Sequence, residues 1–179
     1  MSLILANLAP RVKQFIRAIS ARPLDQREVD FVSSTLNGKA TDLFFAQPDR
    51  VQRHGIEIAT VVSSTSSDRD VLAAALLHDV GKTRYTLRVW HQVAAILAGW
   101  INSDLPAKWG KMEARWWNTP FAIAERHTEW GAMMLEEAGC SSLCVSLVLH
   151  HHDSEDELVR LPEQTRVLVE LLQKADSKI

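Results

Sequence analysis

Most of this chain repeats its apolar residues every three or four positions, and no run alternates cleanly with period two. Successive side chains on a helix are about 100° apart, so this spacing gathers the apolar residues into one stripe; a half-buried strand needs strict alternation instead. Glycine and proline, the residues that signal turns, number only seven and six among 179. An all-α fold follows. A helix is expected to restart at Pro10 and run through RVKQFIRAIS, since proline suits a first turn. Another begins near Asp25, carries Val29, Val32 and Leu36, and stops at Asn37-Gly38. A third begins around Pro48, and a fourth is capped by Asp68 and ended by Gly81. After a basic connector, KTRYTLR, comes VWHQVAAILAGWI. The stretch from Asn102 to Pro120 reads as irregular. Pro120 then heads a helix closed by Gly139, followed by SSLCVSLVLHHH, a polar loop DSEDELVRLPEQ, and a last helix ending LLQKADSKI.

The length suits one domain with a small extension. Residues 1–45 are expected to form a helical extension packing on a domain of residues 46–179. The net charge of -2 gives no long-range attraction to nucleic acid or to an anionic membrane. No apolar run approaches the roughly 20 residues that span a bilayer. The opening MSLILANLAPRVKQF has no basic leader and no clear cleavage site, so it reads as part of a helix, and the cytoplasm is the expected compartment. Cys140 and Cys144 share a helical face without completing a zinc motif, and are expected to pack in the core.

The informative feature is where the ligand-type residues fall. Ile58 and Val62 lead back in steps of four to His54. Val71, Ala74 and Ala75 lead on to His78, and Ile123 leads to His127. Cys144, Leu147 and Val148 lead to His151, while Val169 and Leu172 lead to Asp176. A single histidine on an apolar face is most often a core residue bonded to a carbonyl. Five helices each directing an ionisable group inward need a shared partner, because unpaired buried charge is costly. A cation supplies that partner. The strongest local signal is ALLHDVGKTR. Adjacent His78 and Asp79 diverge by about 100° on a regular helix, so both reach one ion only beside a helix end, and Gly81 places an end there.

These residues resemble the HD superfamily of metal-dependent phosphohydrolases. The family pattern is a histidine, an adjacent His-Asp pair roughly 25 residues on, and a distant aspartate. Here it reads RVQRHGIEIA, ALLHDVGK and LLQKADS, with His54, His78, Asp79 and Asp176 at the matching positions. The resemblance runs from about residue 50 to the end and implies a compact helical bundle holding a divalent ion. A subset of the family adds histidines and holds two metals. His127, in ERHTEWGAMMLEEAG, and the LVLHHHD segment look like those additions, with His151 favoured as the ligand, His150 next, and His152 a ligand or a substrate contact. The frequent HDIG of the family is HDVGK here. The Gly-Tyr-Pro signature of the cyclic-dinucleotide phosphodiesterases is missing from HHHDSEDELVRLP, so that activity is not expected.

The resemblance implies hydrolysis of a phosphate ester, on a nucleotide or a related small phosphorylated molecule, by a metal-activated water. Imidazole and carboxylate ligands suit one or two ions of Mn, Fe, Co, Ni, Zn or Mg. Asp79 would bridge two ions or orient the nucleophile. Lys82, Arg84 and Arg88 follow the dyad and are the expected phosphate contacts, with Lys82 the best placed. Arg53 and Arg126 fall about 100° off the faces of His54 and His127 and are expected at the surface. His91, beside Trp90, reads as structural. Trp109, Trp116 and Trp117 stand among Lys108, Lys111 and Arg115. They could pack the loop onto the body, stack a nucleoside, seal a lid, or form a homodimer contact. Two other functions stay open: a non-catalytic regulatory module with a metal site, and a di-iron oxygenase on the same fold.

Overall fold

The computed structural model describes residues 22–85 and 105–179. In chain order the elements are α1 (Gln26–Thr35), α2 (Gly38–Phe45), α3 (Asp49–Ser63), α4 (Arg69–Leu77) and a 3-10 turn (Val80–Arg84). Then come α5 (Leu105–Gly110), α6 (Thr119–Glu137), α7 (Ser142–His150), α8 (Glu155–Leu158) and α9 (Glu163–Asp176). No strand occurs among the described residues, and the fold is all-α.

Helix starts follow from local chemistry. The Asp25 carboxylate accepts from the Glu28 amide at 3.0 Å while Glu28 accepts from the Asp25 amide at 2.8 Å, a reciprocal cap on α1. Asp68 accepts from the Asp70 amide at 2.8 Å to open α4, and Ser141 accepts from the Cys144 amide at 3.1 Å to open α7. Pro120 lies in the first turn of α6, where its missing N–H leaves nothing unsatisfied. Beyond α6, Gly139 takes φ +79°, the left-handed conformation that ends helices.

Three helices depart from the sequence reading. Asn37-Gly38 stops α1 as expected, but the chain turns at Gly38 (φ +45°) and enters α2 at once. Within the stretch read as irregular lies α5, and within the loop after the histidine run lies α8. Elements of six and four residues span too few turns to show a period. The helices expected from Pro10 and over VWHQVAAILAGWI fall outside the described residues, as do Arg88 and His91.

Helix α4 is the centre of the assembly, packed by α3, α7, α1, α2 and α9. Its residues Ala73, Ala74, Ala75, Leu76 and Leu77 are all buried, so it is apolar on every side. Val32 and Phe44 from α1 and α2, Ile58 and Val62 from α3, Leu147 from α7 and Leu172 from α9 complete one core. Two backbone approaches are close enough to require glycine. A Cβ on Gly55 would stand 2.6 Å from the Leu76 carbonyl oxygen, so α3 lies directly on α4 and His54 lies beside the end of that helix. A Cβ on Gly81 would overlap the His127 carbonyl oxygen and stand 2.6 Å from the Gly131 nitrogen. The 3-10 turn is thereby pressed onto α6. Among the described residues no helix is long and apolar enough to cross a membrane.

Candidate metal centre

Six of the proposed ligands come from five segments and meet at the end of α4. His78 caps that helix, and Asp79 follows in a non-helical conformation (φ -98°, ψ 5°). The break lets adjacent residues face one centre, which a continuing helix would prevent. His54 projects from α3, His127 from α6, and His151 from the end of α7; Asp176 is the last residue of α9.

The side chains form two groups, in each of which the donor atoms lie within 4.8 Å of one another. The first is His54, His78 and Asp176. His54 Nε2 is 3.0 Å from Asp176 Oδ1, and His78 Nε2 is 4.0 Å from the same oxygen. The second is Asp79, His127, His151 and His152. His127 Nε2 and His151 Nε2 stand 3.8 and 3.9 Å from Asp79 Oδ1. The groups adjoin through the dyad, since His78 Nε2 is 3.7 Å from Asp79 Oδ2.

Hydrogen bonding sets the tautomers. His78 Nδ1 is 2.9 Å from the Ala75 carbonyl, His127 Nδ1 is 3.0 Å from that of Ile123, and His151 Nδ1 is 2.7 Å from that of Val148. A carbonyl only accepts, so each Nδ1 carries the proton and each Nε2 presents a lone pair. All three Nε2 atoms are buried without a hydrogen-bond partner, and beside them lies the buried Asp79 carboxylate, whose near cation is the Lys82 ammonium. Three converging buried acceptors with no donor, beside a buried carboxylate, are costly unless a cation takes their lone pairs. The carbonyl behind each imidazole is the usual outer support of a metal-ligating histidine. The donor set therefore fits a divalent ion.

Protonation states agree. Burial lowers the His78 pKa, lowers His127 to about 4 with Lys82 acting in the same direction, and lowers His151 to about 3. Burial alone would raise Asp79, but His78 and Lys82 outweigh it and hold the carboxyl well below its ordinary value. The hydrogen bond from His54 is the main cause of the lowered Asp176 pKa. Near neutral pH, then, His78, His127 and His151 are neutral and both aspartates are ionised, which is the state a metal requires.

Lys82 Nζ is 2.7 Å from both Asp79 oxygens, at the mouth of the second group. Arg84 is exposed, with its guanidinium carbon 5.7 Å from the centre of the Trp130 ring. His150 turns away from the groups and pairs with Asp153 at 2.6 Å, while the exposed His152 joins the second group. The apolar stripe favoured His151, which lies in the second group, but ranked His150 above His152 as the further ligand, and the structure reverses that order. The end of α7 at His150 sets it.

Arg53 is not at the surface. Its side chain is only 15% exposed, and it binds Glu28 and the carbonyls of Arg22 and Pro23. Off the ligand face of α3 lies the start of α1, which covers it. Arg126 is half-exposed and lies 3.4 Å from Glu129. Trp109 meets Trp117 and Phe121 edge-on, so these rings pack the segment onto α6, whereas Trp116 is 75% exposed. Lys111 reaches Glu125 at 3.9 Å. Cys144 is buried in the core, with Cys140 half-buried against it.

No curated protein and no solved structure matches the chain. The HD domain family model matches residues 49–178, the span that supplies every residue of both ligand groups. HD domains are generally metal-dependent hydrolases, and the His/Asp cluster is compatible with that chemistry. By this match, over most of its length, the chain belongs to the HD domain family.

Proposed function

We propose that this protein hydrolyses a phosphate ester of a small molecule, a nucleotide or a related compound, using two divalent ions. The observation that carries the reading is the convergence of the buried, unpartnered Nε2 atoms of His78, His127 and His151 on the buried Asp79 carboxylate. His54, His78 and Asp176 would hold one ion; Asp79, His127, His151 and His152 would hold the other. Asp79 lies between the groups and is the residue able to serve both. Such ions lower the pKa of a coordinated water and offset charge developing on phosphorus.

The chain's own residues do the rest. The carbonyls of Ala75, Ile123 and Val148 fix three imidazoles so that little reorganisation is needed when ligands bind. Lys82 is partly exposed and can turn its ammonium from Asp79 to a phosphate oxygen, a move within the freedom of a four-carbon side chain. Burial of Asp79 and His151 keeps bulk water from the inner side of the site.

The test is a screen of purified protein on phosphomonoesters and phosphodiesters with Mn, Co and Ni. Expected are turnover with at least one metal, its loss in the presence of chelator, and its loss in His78→Ala and Asp79→Ala. Metal bound at the site with no turnover on either ester class would overturn the hydrolytic reading in favour of a regulatory metal-binding module.

A further inference from the structure

Three cations gather where the 3-10 turn meets α6. Lys82 lies on Asp79 at 2.7 Å, as described. Two residues on, Arg84 places its guanidinium carbon 5.7 Å from the centre of the Trp130 ring. Arg126 places its own 5.2 Å from the same centre. Trp130 is buried, and Tyr85 packs against it with ring centres 5.3 Å apart, so the aromatic platform is fixed.

This platform belongs to the same structural unit as the proposed metal centre. Arg126 immediately precedes His127, and Trp130 follows His127 by one turn of α6. Arg84 closes the 3-10 turn that begins directly after Asp79. Contact of Gly81 with the backbone at His127 and Gly131 fixes turn and helix against each other. Arg84 and Arg126 are therefore held on one ring by two rigid elements, each of which also carries a proposed ligand.

Cation–π attraction explains why each guanidinium rests on Trp130, but it does not reduce the repulsion between two like charges drawn to one ring. Glu129, 3.4 Å from Arg126, compensates one of them. Arg84 makes no ion pair among the described residues. Guanidinium groups present paired donors suited to phosphate oxygens, and stacking on an aromatic ring pre-orients them. We propose that Arg84 and Arg126, seated on Trp130, form a second anion subsite, so that the substrate carries a phosphate or equivalent anionic group beyond the one cleaved. The inference rests on the phosphate-hydrolysing reading of the adjoining centre. It narrows the substrate class to polyanionic phosphates, with Lys82 serving the phosphate at the metals and the arginine pair serving the second group.

The experiment measures binding rather than turnover. Mn-loaded protein at fixed free Mn is titrated with inorganic phosphate and with methylenediphosphonate, a pyrophosphate mimic that is not hydrolysed. The ratio of the two Kd values is compared among the wild type, Arg84→Ala, Arg126→Ala and the double variant. Metal chelation in solution is the same for every protein and cancels from the comparison. The wild type is expected to prefer the diphosphonate, and the double variant to lose about tenfold of that preference, the worth of one charge-assisted hydrogen bond. Arg84→Lys with Arg126→Lys should keep part of it. Circular dichroism and bound-metal content show that the variants are folded and loaded. An unchanged ratio in the folded double variant overturns the subsite. A ratio that collapses as expected in a protein hydrolysing no ester supports the subsite and overturns only the proposed reaction.

Discussion

At the scale of single residues, the site is defined by lone pairs with nowhere to go. The Nε2 atoms of His78, His127 and His151, none of them with a donor, face the buried Asp79 carboxylate. Asp79→Asn keeps the shape but replaces an anionic ligand by an amide that binds divalent ions weakly. Bound metal per chain, measured by elemental analysis after dialysis, should fall sharply in this variant, and turnover should fall with it. Retention of both at wild-type level would mean that Asp79 is not a ligand. The histidines also give a pH dependence. Burial in the folded chain pushes the His127 pKa down to about 4 and that of His151 down to about 3, below the ordinary histidine value of 6.5. Between those limits the unfolded chain binds protons that the native chain does not, so stability rises with pH. Asp79 and Asp176, both lowered, act in the same direction below about pH 4. The metal-free protein should therefore lose stability progressively as pH falls from about 6.5 toward 4. Urea unfolding at several pH values checks this, and a midpoint that stays constant or rises on acidification contradicts it.

At the scale of elements, two glycine contacts and a set of caps hold the proposed ligands in register. Gly81→Ala would drive a methyl group into the His127 carbonyl and toward the Gly131 nitrogen at 2.6 Å. Backbone on backbone cannot yield as a side chain can, so the turn bearing Lys82 and Arg84 must move off α6. The expected cost is about 1–3 kcal/mol, as for an overpacked core, together with weaker metal binding because Asp79 and His127 separate. Denaturant unfolding and metal titration measure the two effects, and a neutral outcome in both would refute the close packing. The Asp68 cap has a different signature. Asp68→Ala removes the acceptor for the first amides of α4 and should cost about 1 kcal/mol with little change in denaturant slope. Among the elements, the long amphipathic helices and their caps were readable from the sequence. Asp25, Asp68 and Gly139 each sit where the sequence reading placed a helix boundary. The short α2, α5 and α8 were not readable, because their positions depend on what they pack against rather than on a repeating pattern.

At the scale of the whole molecule, the proposed ligands are spread from His54 to Asp176 and bring α3, α4, α6, α7 and α9 together at two adjoining groups. A metal bound there favours the folded chain over the unfolded one by mass action, about 2.7 kcal/mol at a free concentration one hundred times Kd. Stripping the metal should lower the melting temperature by roughly 5–10 °C for a chain of this size. Differential scanning calorimetry with and without chelator tests this, and equal midpoints would argue against the shared centre. The one-core arrangement around α4 explains why such a loss would act globally, since every ligand-bearing helix but α6 packs directly on α4 or on α9.

The amino-acid sequence by itself determined that the chain is helical and that His54, His78, Asp79, His127, His151 and Asp176 lie on inward faces. Both follow from angular position along a helix, which is a local property read from spacing alone. Only the tertiary structure decided which of these side chains share a centre, that His152 rather than His150 completes the second group, and that Arg53 is covered by α1. It also brought Arg84 and Arg126 to one tryptophan. Those outcomes depend on how far helices slide and rotate against one another and on where α4 and α7 end. Contacts between residues distant in the chain set these quantities, and no local period encodes them.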